Sequence, residues 1–143
     1  MTGSPDFQRC LAVVLPLEGG YVNHPADPGG ETKYGISKRA YPHLDIRALT
    51  PTAAGDLYWR DYWLPAGCDR LAWPRCLIHF DAAVNHGVPR AKRFLAVSPT
   101  VKDYAEAREA FYRALVVRRP ASAVFLPGWL RRIRHILEAS LAP

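Results

Sequence analysis

The sequence predicts a mainly α chain, one helical domain carrying a small β-hairpin beside residue 18. Three observations point there. Apolar residues recur at helical spacing over most of the 143 residues. Ser-Pro and Thr-Pro pairs, and prolines followed by apolar runs, mark helix starts. Only residues 21–36 break the helical pattern, around the turn sequence Asp27-Pro28-Gly29-Gly30.

Ser4 can cap a first helix with Pro5 in its first turn, and Phe7, Leu11, Val14 and Leu15 form its apolar stripe. Gly19-Gly20 should end it, and Pro16 should kink its last turn by removing a backbone donor. Tyr21, Val22, Tyr34 and Ile36 are placed to flank a hairpin or ribbon, after which Ser37 caps a short helix toward Tyr41. Thr50-Pro51 opens a helix through Leu57, Tyr58 and Tyr62. Pro74 opens one ending at Gly87, and Pro89 one ending near Val97. Tyr104, Arg108, Phe111 and Leu115 mark a longer helix. Trp129, Leu130, Ile133, Ile136 and Leu137 mark the last one, after Pro127-Gly128. No repeat or linker appears, so residues 1–143 read as a single compact domain.

Nearly half the residues are apolar, 49%, which excludes a disordered chain. No run approaches the ~18 apolar residues of a membrane span, so no stable membrane insertion is expected. The N-terminus lacks a basic n-region, and no small-residue cleavage site follows residue 17. Synthesis in the cytoplasm without a signal peptide is the expectation. Cys10, Cys68 and Cys76 form no C-x-x-C pair and read as buried free thiols. Residues 101–143 hold eight Lys/Arg against four Asp/Glu and so carry most of the net charge of +6. Such a surface suits polyanions, whether nucleic acid, anionic lipid or an acidic wall polymer.

Glu18 and Glu31 are the only glutamates before residue 100. Glu18 follows Leu15 and Leu17, so partly apolar surroundings are expected. Burial disfavours the charged form of a carboxyl group. An acid still protonated near neutrality can donate a proton to a leaving group. Glycosidic bonds need that proton, and also a second group that activates water or stabilises the oxocarbenium-like state. Asp27, in a turn able to fold back across from Glu18, is the candidate, and Thr32 could hold the water. The bland alternatives are a helix-end charge, an Asx-turn residue and a strand residue.

Tyr21 and Tyr34 could stack on sugar rings or pack the hairpin. Asn85 and His86 could bind an acetamido group or simply stop a helix. His79 and His86 are not spaced as metal ligands at i, i+4, and no H-E-x-x-H occurs, so neither a metal nor any other cofactor is expected. Arg131, Arg132 and Arg134 read as a solvated helix face or a contact for anionic polymer or lipid.

The stretch EGGYVNHPADPGGETKYGIS, residues 18–37, resembles the signature of glycoside hydrolase family 108, bacterial and phage N-acetylmuramidases. Glu18-Gly19-Gly20-Tyr21 matches the EGGY motif, whose glutamate is the family's catalytic residue. Pro25 to Gly30 and Lys33 to Ile36 match the segments after it. FDAAVNHG, from Phe80 to Gly87, resembles the second motif. AREAFYRAL and FLPGWLRRI resemble the C-terminal peptidoglycan-binding region. His24 stands where members usually carry Asp. The resemblance implies a lysozyme-like helical fold, with residues 1–97 as catalytic core and residues 98–143 as a helical wall-binding part. It implies cleavage of the β-1,4 bond between N-acetylmuramic acid and N-acetylglucosamine in peptidoglycan. Glu18 would act as general acid, and Asp27, with Thr32, would position water. Nothing marks a close carboxylate nucleophile, so inversion is favoured, with a carboxyl separation of ~6.5–9.5 Å.

A monomer acting on the wall, released by a holin or another export route, is expected. A non-catalytic wall-binding or secretion-helper protein keeping the fold is the alternative. A nucleic-acid binder lacks a recognisable recognition helix, so no nucleic-acid partner is expected. A zinc amidase would lose activity in EDTA.

Overall fold

The computed structural model describes residues 3–24 and 30–143. The chain is mainly helical, with three short antiparallel strands. It forms two compact units, Met1–Asp61 and Tyr62–Pro143.

In the first unit, helix α1 spans Pro5–Val14, and the Ser4 side chain accepts from the Phe7 backbone N–H at 3.2 Å. Pro16 has no N–H to give an α-helical bond. The chain accordingly tightens into a 3-10 turn over Leu15–Glu18, and Gly19 leaves it with φ of 79°. Strands β1 (Val22–Asn23), β2 (Glu31–Lys33) and β3 (Ile36–Ser37) follow in the order β1-β2-β3. Thr32 pairs with Val22 on one side and Ser37 on the other. The expected hairpin thus carries a third strand, because Tyr34 and Gly35, both at positive φ, make a two-residue turn that sets Lys33 opposite Ile36. The short helix expected after Ser37 is a single turn, in which Ala40 N–H donates to Ser37 Oγ at 3.1 Å.

Helix α2 spans Pro51–Tyr58, with Thr50 Oγ1 accepting from Ala53 N–H at 3.1 Å. Gly55 lets α1 approach closely: a Cβ there would lie 2.9 Å from Leu11 Cδ2. Phe7, Cys10, Leu11, Val14, Ile36, Ile46 and Tyr58 are buried in this unit. Trp59 meets Phe7 edge to face at 5.1 Å. The helical path then widens into a π-helical segment, Trp59–Trp63.

The second unit holds α3 (Leu64–Ala66), α4 (Arg75–His86), α5 (Val88–Ala96), α6 (Val101–Arg118) and α7 (Leu126–Ser140). A 3-10 stretch, Pro120–Phe125, joins the last two. Helix α4 is its core, buried from Cys76 to Ala83, and it stops at Gly87, where φ is 87°. All three cysteines are buried and outside any disulfide, as expected.

Asp81, in the middle of α4, is fully buried. It accepts from Arg132 Nε and Nη2 of α7 at 3.0 and 2.8 Å. Arg108 Nη2 of α6 lies 2.8 Å from its other oxygen, an ion pair without the alignment of a hydrogen bond. Burial pushes the Asp81 carboxyl up, but Arg108 and Arg132 outweigh it and hold it below the usual carboxylate range.

Candidate active site

The proline-driven 3-10 turn delivers Glu18 as its last residue, half-buried. Two contacts tie its surroundings to the sheet. Tyr34 N–H donates to the Gly19 carbonyl at 3.0 Å, which fixes the residue after Glu18 against the β2–β3 turn. The Tyr58 hydroxyl, buried on α2, donates to the Tyr34 carbonyl and holds that turn from the other side.

Between them sits Gly35, with φ of 73°. A Cβ on Gly35 would lie 2.7 Å from Glu18 Oε2, 3.2 Å from Glu18 Cβ and 3.0 Å from the Tyr58 hydroxyl. The missing side chain is therefore the space the carboxyl group occupies. Glycine also meets the backbone demand of the turn. Its neighbour Tyr34 adopts φ of 52° without being glycine, an uncommon conformation for an aromatic residue.

The other residues singled out from the sequence fall as follows. Tyr21 donates its hydroxyl to Glu31 Oε2 at 2.6 Å. The Arg47 guanidinium lies 4.9 Å from the centre of its ring, so one ring face is taken. Lys33 Nζ, 5.6 Å from the Tyr34 ring centre, donates to the Arg47 carbonyl at 2.9 Å. Glu31 and Lys33 share one face of β2, and Thr32 points to the opposite face. Asp27 lies outside the described residues.

Asn85 and His86 belong to the second unit. Asn85 Nδ2 donates to the Tyr112 hydroxyl at 2.6 Å. His86 Nε2 accepts from Arg108 Nε at 3.1 Å, so His86 is neutral. Burial, then Arg108, pushes its imidazole down to about 3. Both side chains thus have polar work inside that unit, and the expectation of a sugar contact gains no support from it.

Sequence reasoning missed Tyr58 and Gly35 as parts of the Glu18 seat. Gly35 carried a signal, a glycine between two strand-like residues; Tyr58 looked like an ordinary core position. An open apolar groove of about 310 Å³ runs between α1 and α2, lined by Leu11, Leu15, Pro16, Pro51, Gly55 and Asp56 among others. Glu18 is not in its lining. No group of three or more metal-ligating side chains occurs among the described residues.

A helical chain that seats a half-buried carboxyl group on a small sheet has the parts for acid-assisted bond cleavage, and comparison makes it a glycoside hydrolase. Residues 11–87, more than half of the chain, match the family Glycosyl hydrolase 108, and the chain belongs to that family. The matched segment includes Glu18, the whole sheet and helix α4. Among solved structures the chain is similar to Brucella abortus SagA, at 26% identity over 94% of this chain and 93% of that one, with a TM-score of 0.75. No curated protein sequence matches.

Proposed function

We propose that the chain is an N-acetylmuramidase, hydrolysing the β-1,4 bond between N-acetylmuramic acid and N-acetylglucosamine in peptidoglycan. One observation carries the reading: in a chain of this family, Glu18 is held against a glycine turn whose missing side chain makes room for its carboxyl group. In this reading Glu18 is the general acid. Its proton passes to the glycosidic oxygen as the bond to C1 breaks, so the departing sugar leaves as an alcohol rather than an alkoxide. Water adds to C1 from the opposite face. Asp27 takes the water's proton, and Thr32 helps to hold the water. Tyr21 and Tyr34 offer ring faces to the sugars. Tyr58 and Gly35 fix where the carboxyl group sits, and small errors in such placement are expensive in rate. The reaction inverts the anomeric centre, and the protein meets its substrate after release from the cytoplasm.

Mass analysis of purified peptidoglycan after digestion tests the reading. Fragments with reducing-end muramic acid are expected. Anhydro ends would make the protein a lytic transglycosylase, and reducing-end glucosamine a glucosaminidase. Proton NMR of the first product formed reads the stereochemistry, with the α-anomer expected.

A further inference from the structure

We propose that the closed end of the α6–α7 hairpin docks, peripherally and reversibly, on an anionic lipid surface. Neither the family match nor the Glu18 site bears on this end of the chain. Residues 110–137 contain six arginines and no Asp or Glu. Two of the six are occupied: Arg132 binds Asp81, and Arg113 pairs with Glu109 at 2.8 Å. Arg118, Arg119, Arg131 and Arg134 are exposed, and no carboxylate lies within ion-pair distance of them among the described residues.

The same end bears apolar side chains in solvent. Val117 is 80% exposed, Val124 75% and Phe125 60%. Val117 lies in the last turn of α6, and Val124 and Phe125 lie in the 3-10 connection, close in sequence to Trp129, which stacks on Tyr112 at 4.6 Å with 16° between the rings. Phe125 leans on Trp129 at 5.9 Å.

The composition selects the occupant. Guanidinium groups suit phosphate. Bare valines gain only where they leave water, which an acyl boundary allows and a hydrated glycan does not. A sugar platform would need open aromatic faces, but Trp129 has given one to Tyr112 and meets Phe125 as well. A second copy of the chain would bring like charges together. No helix among the described residues is long and apolar enough to cross a membrane. The contact is therefore interfacial, with arginines on headgroup phosphates and the two valines and Phe125 at the acyl boundary.

Cosedimentation of the full chain with large unilamellar vesicles tests this. Binding to phosphatidylglycerol vesicles should exceed binding to phosphatidylcholine vesicles at least about tenfold and weaken with salt. The double variant Arg118→Glu/Arg119→Glu, and separately Val117→Asp/Val124→Asp, should each lower the partition coefficient about tenfold, with melting temperatures unchanged. All four positions are exposed, so the fold should survive. Equal binding to both vesicle types, or variants that bind like wild type, would overturn the proposal. So would pelleting with purified sacculi but not with vesicles, which would assign the patch to wall polymer. Concentration-dependent dimers lost in these variants would assign it to self-association.

Discussion

Two carboxyl groups of this chain, Glu18 and Asp81, sit in opposite surroundings. Asp81 is fully buried between Arg108 and Arg132, which hold it ionised. A carboxylate so held cannot give up a proton, and its work is to join α4, α6 and α7. Glu18 is half-buried at the end of a 3-10 turn, against a glycine and near a tyrosine hydroxyl. That seat fixes its position without burying it fully. A carboxyl group held by two guanidinium groups is structural, and the one seated against the Gly35 turn is the candidate for chemistry.

The largest effect that can break this contrast is on stability. Asp81→Ala removes the carboxylate that the buried Arg108 and the partly exposed Arg132 share and should cost about 3–5 kcal/mol, read as a lowered midpoint in urea. A loss below about 1 kcal/mol would mean that the network does little for the second unit.

Acid should act on the same network. Folded His86 takes a proton only near pH 3, whereas an unfolded histidine takes one near pH 6.5. Between those values the unfolded state binds the extra proton, so stability falls as pH falls. Well inside the window the slope for this group is about 1.4 kcal/mol per pH unit. Asp81 acts in the same direction lower down, since its contribution is present above the ordinary carboxyl value and is lost as pH drops through its lowered folded value. Melting curves between pH 7 and 4 check this, and His86→Gln should flatten the slope. An unchanged slope would remove His86 as its source.

At Glu18 the effects should be on rate. Gly35→Ala puts a methyl group where the carboxyl group sits and a Cβ at positive φ. It should lower kcat about 10- to 100-fold, with KM little changed and a stability loss of about 1–2 kcal/mol. An alanine variant with wild-type kcat would mean that the turn does not position Glu18. Tyr58→Phe is milder. Losing one hydrogen bond to the Tyr34 carbonyl should cost about 1 kcal/mol in stability and lower kcat a few-fold; a loss confined to stability would make Tyr58 a packing residue only.

The same contrast explains what could be read from the sequence. Helix starts were legible because their signals are local: Ser4, Thr50 and the prolines beside them act within one turn. The break at Pro16 was legible for the same reason, although its form, a 3-10 turn rather than a kink, was not. Glu18 stood out because a carboxylate, two glycines and a turn sequence are neighbours in the chain. The third strand was not legible, because Tyr34 is not a residue that usually takes positive φ. The Asp81 network was hidden for a different reason. An aspartate in LIHFDAAV makes sense only once Arg108 and Arg132 arrive from distant helices. Asn85 and His86 read as possible sugar contacts because Tyr112 and Arg108, which engage them, are equally remote.

The central claim is that Glu18 supplies the proton and Asp81 supplies only structure. Clearing of purified peptidoglycan by Glu18→Gln, set beside Asp81→Asn in buffer that keeps both folded, tests it most directly. Glu18→Gln should melt like wild type and lose about 10²- to 10⁴-fold in rate, while Asp81→Asn melts lower and keeps its rate per folded molecule. Clearing by folded Glu18→Gln at the wild-type rate would contradict the account.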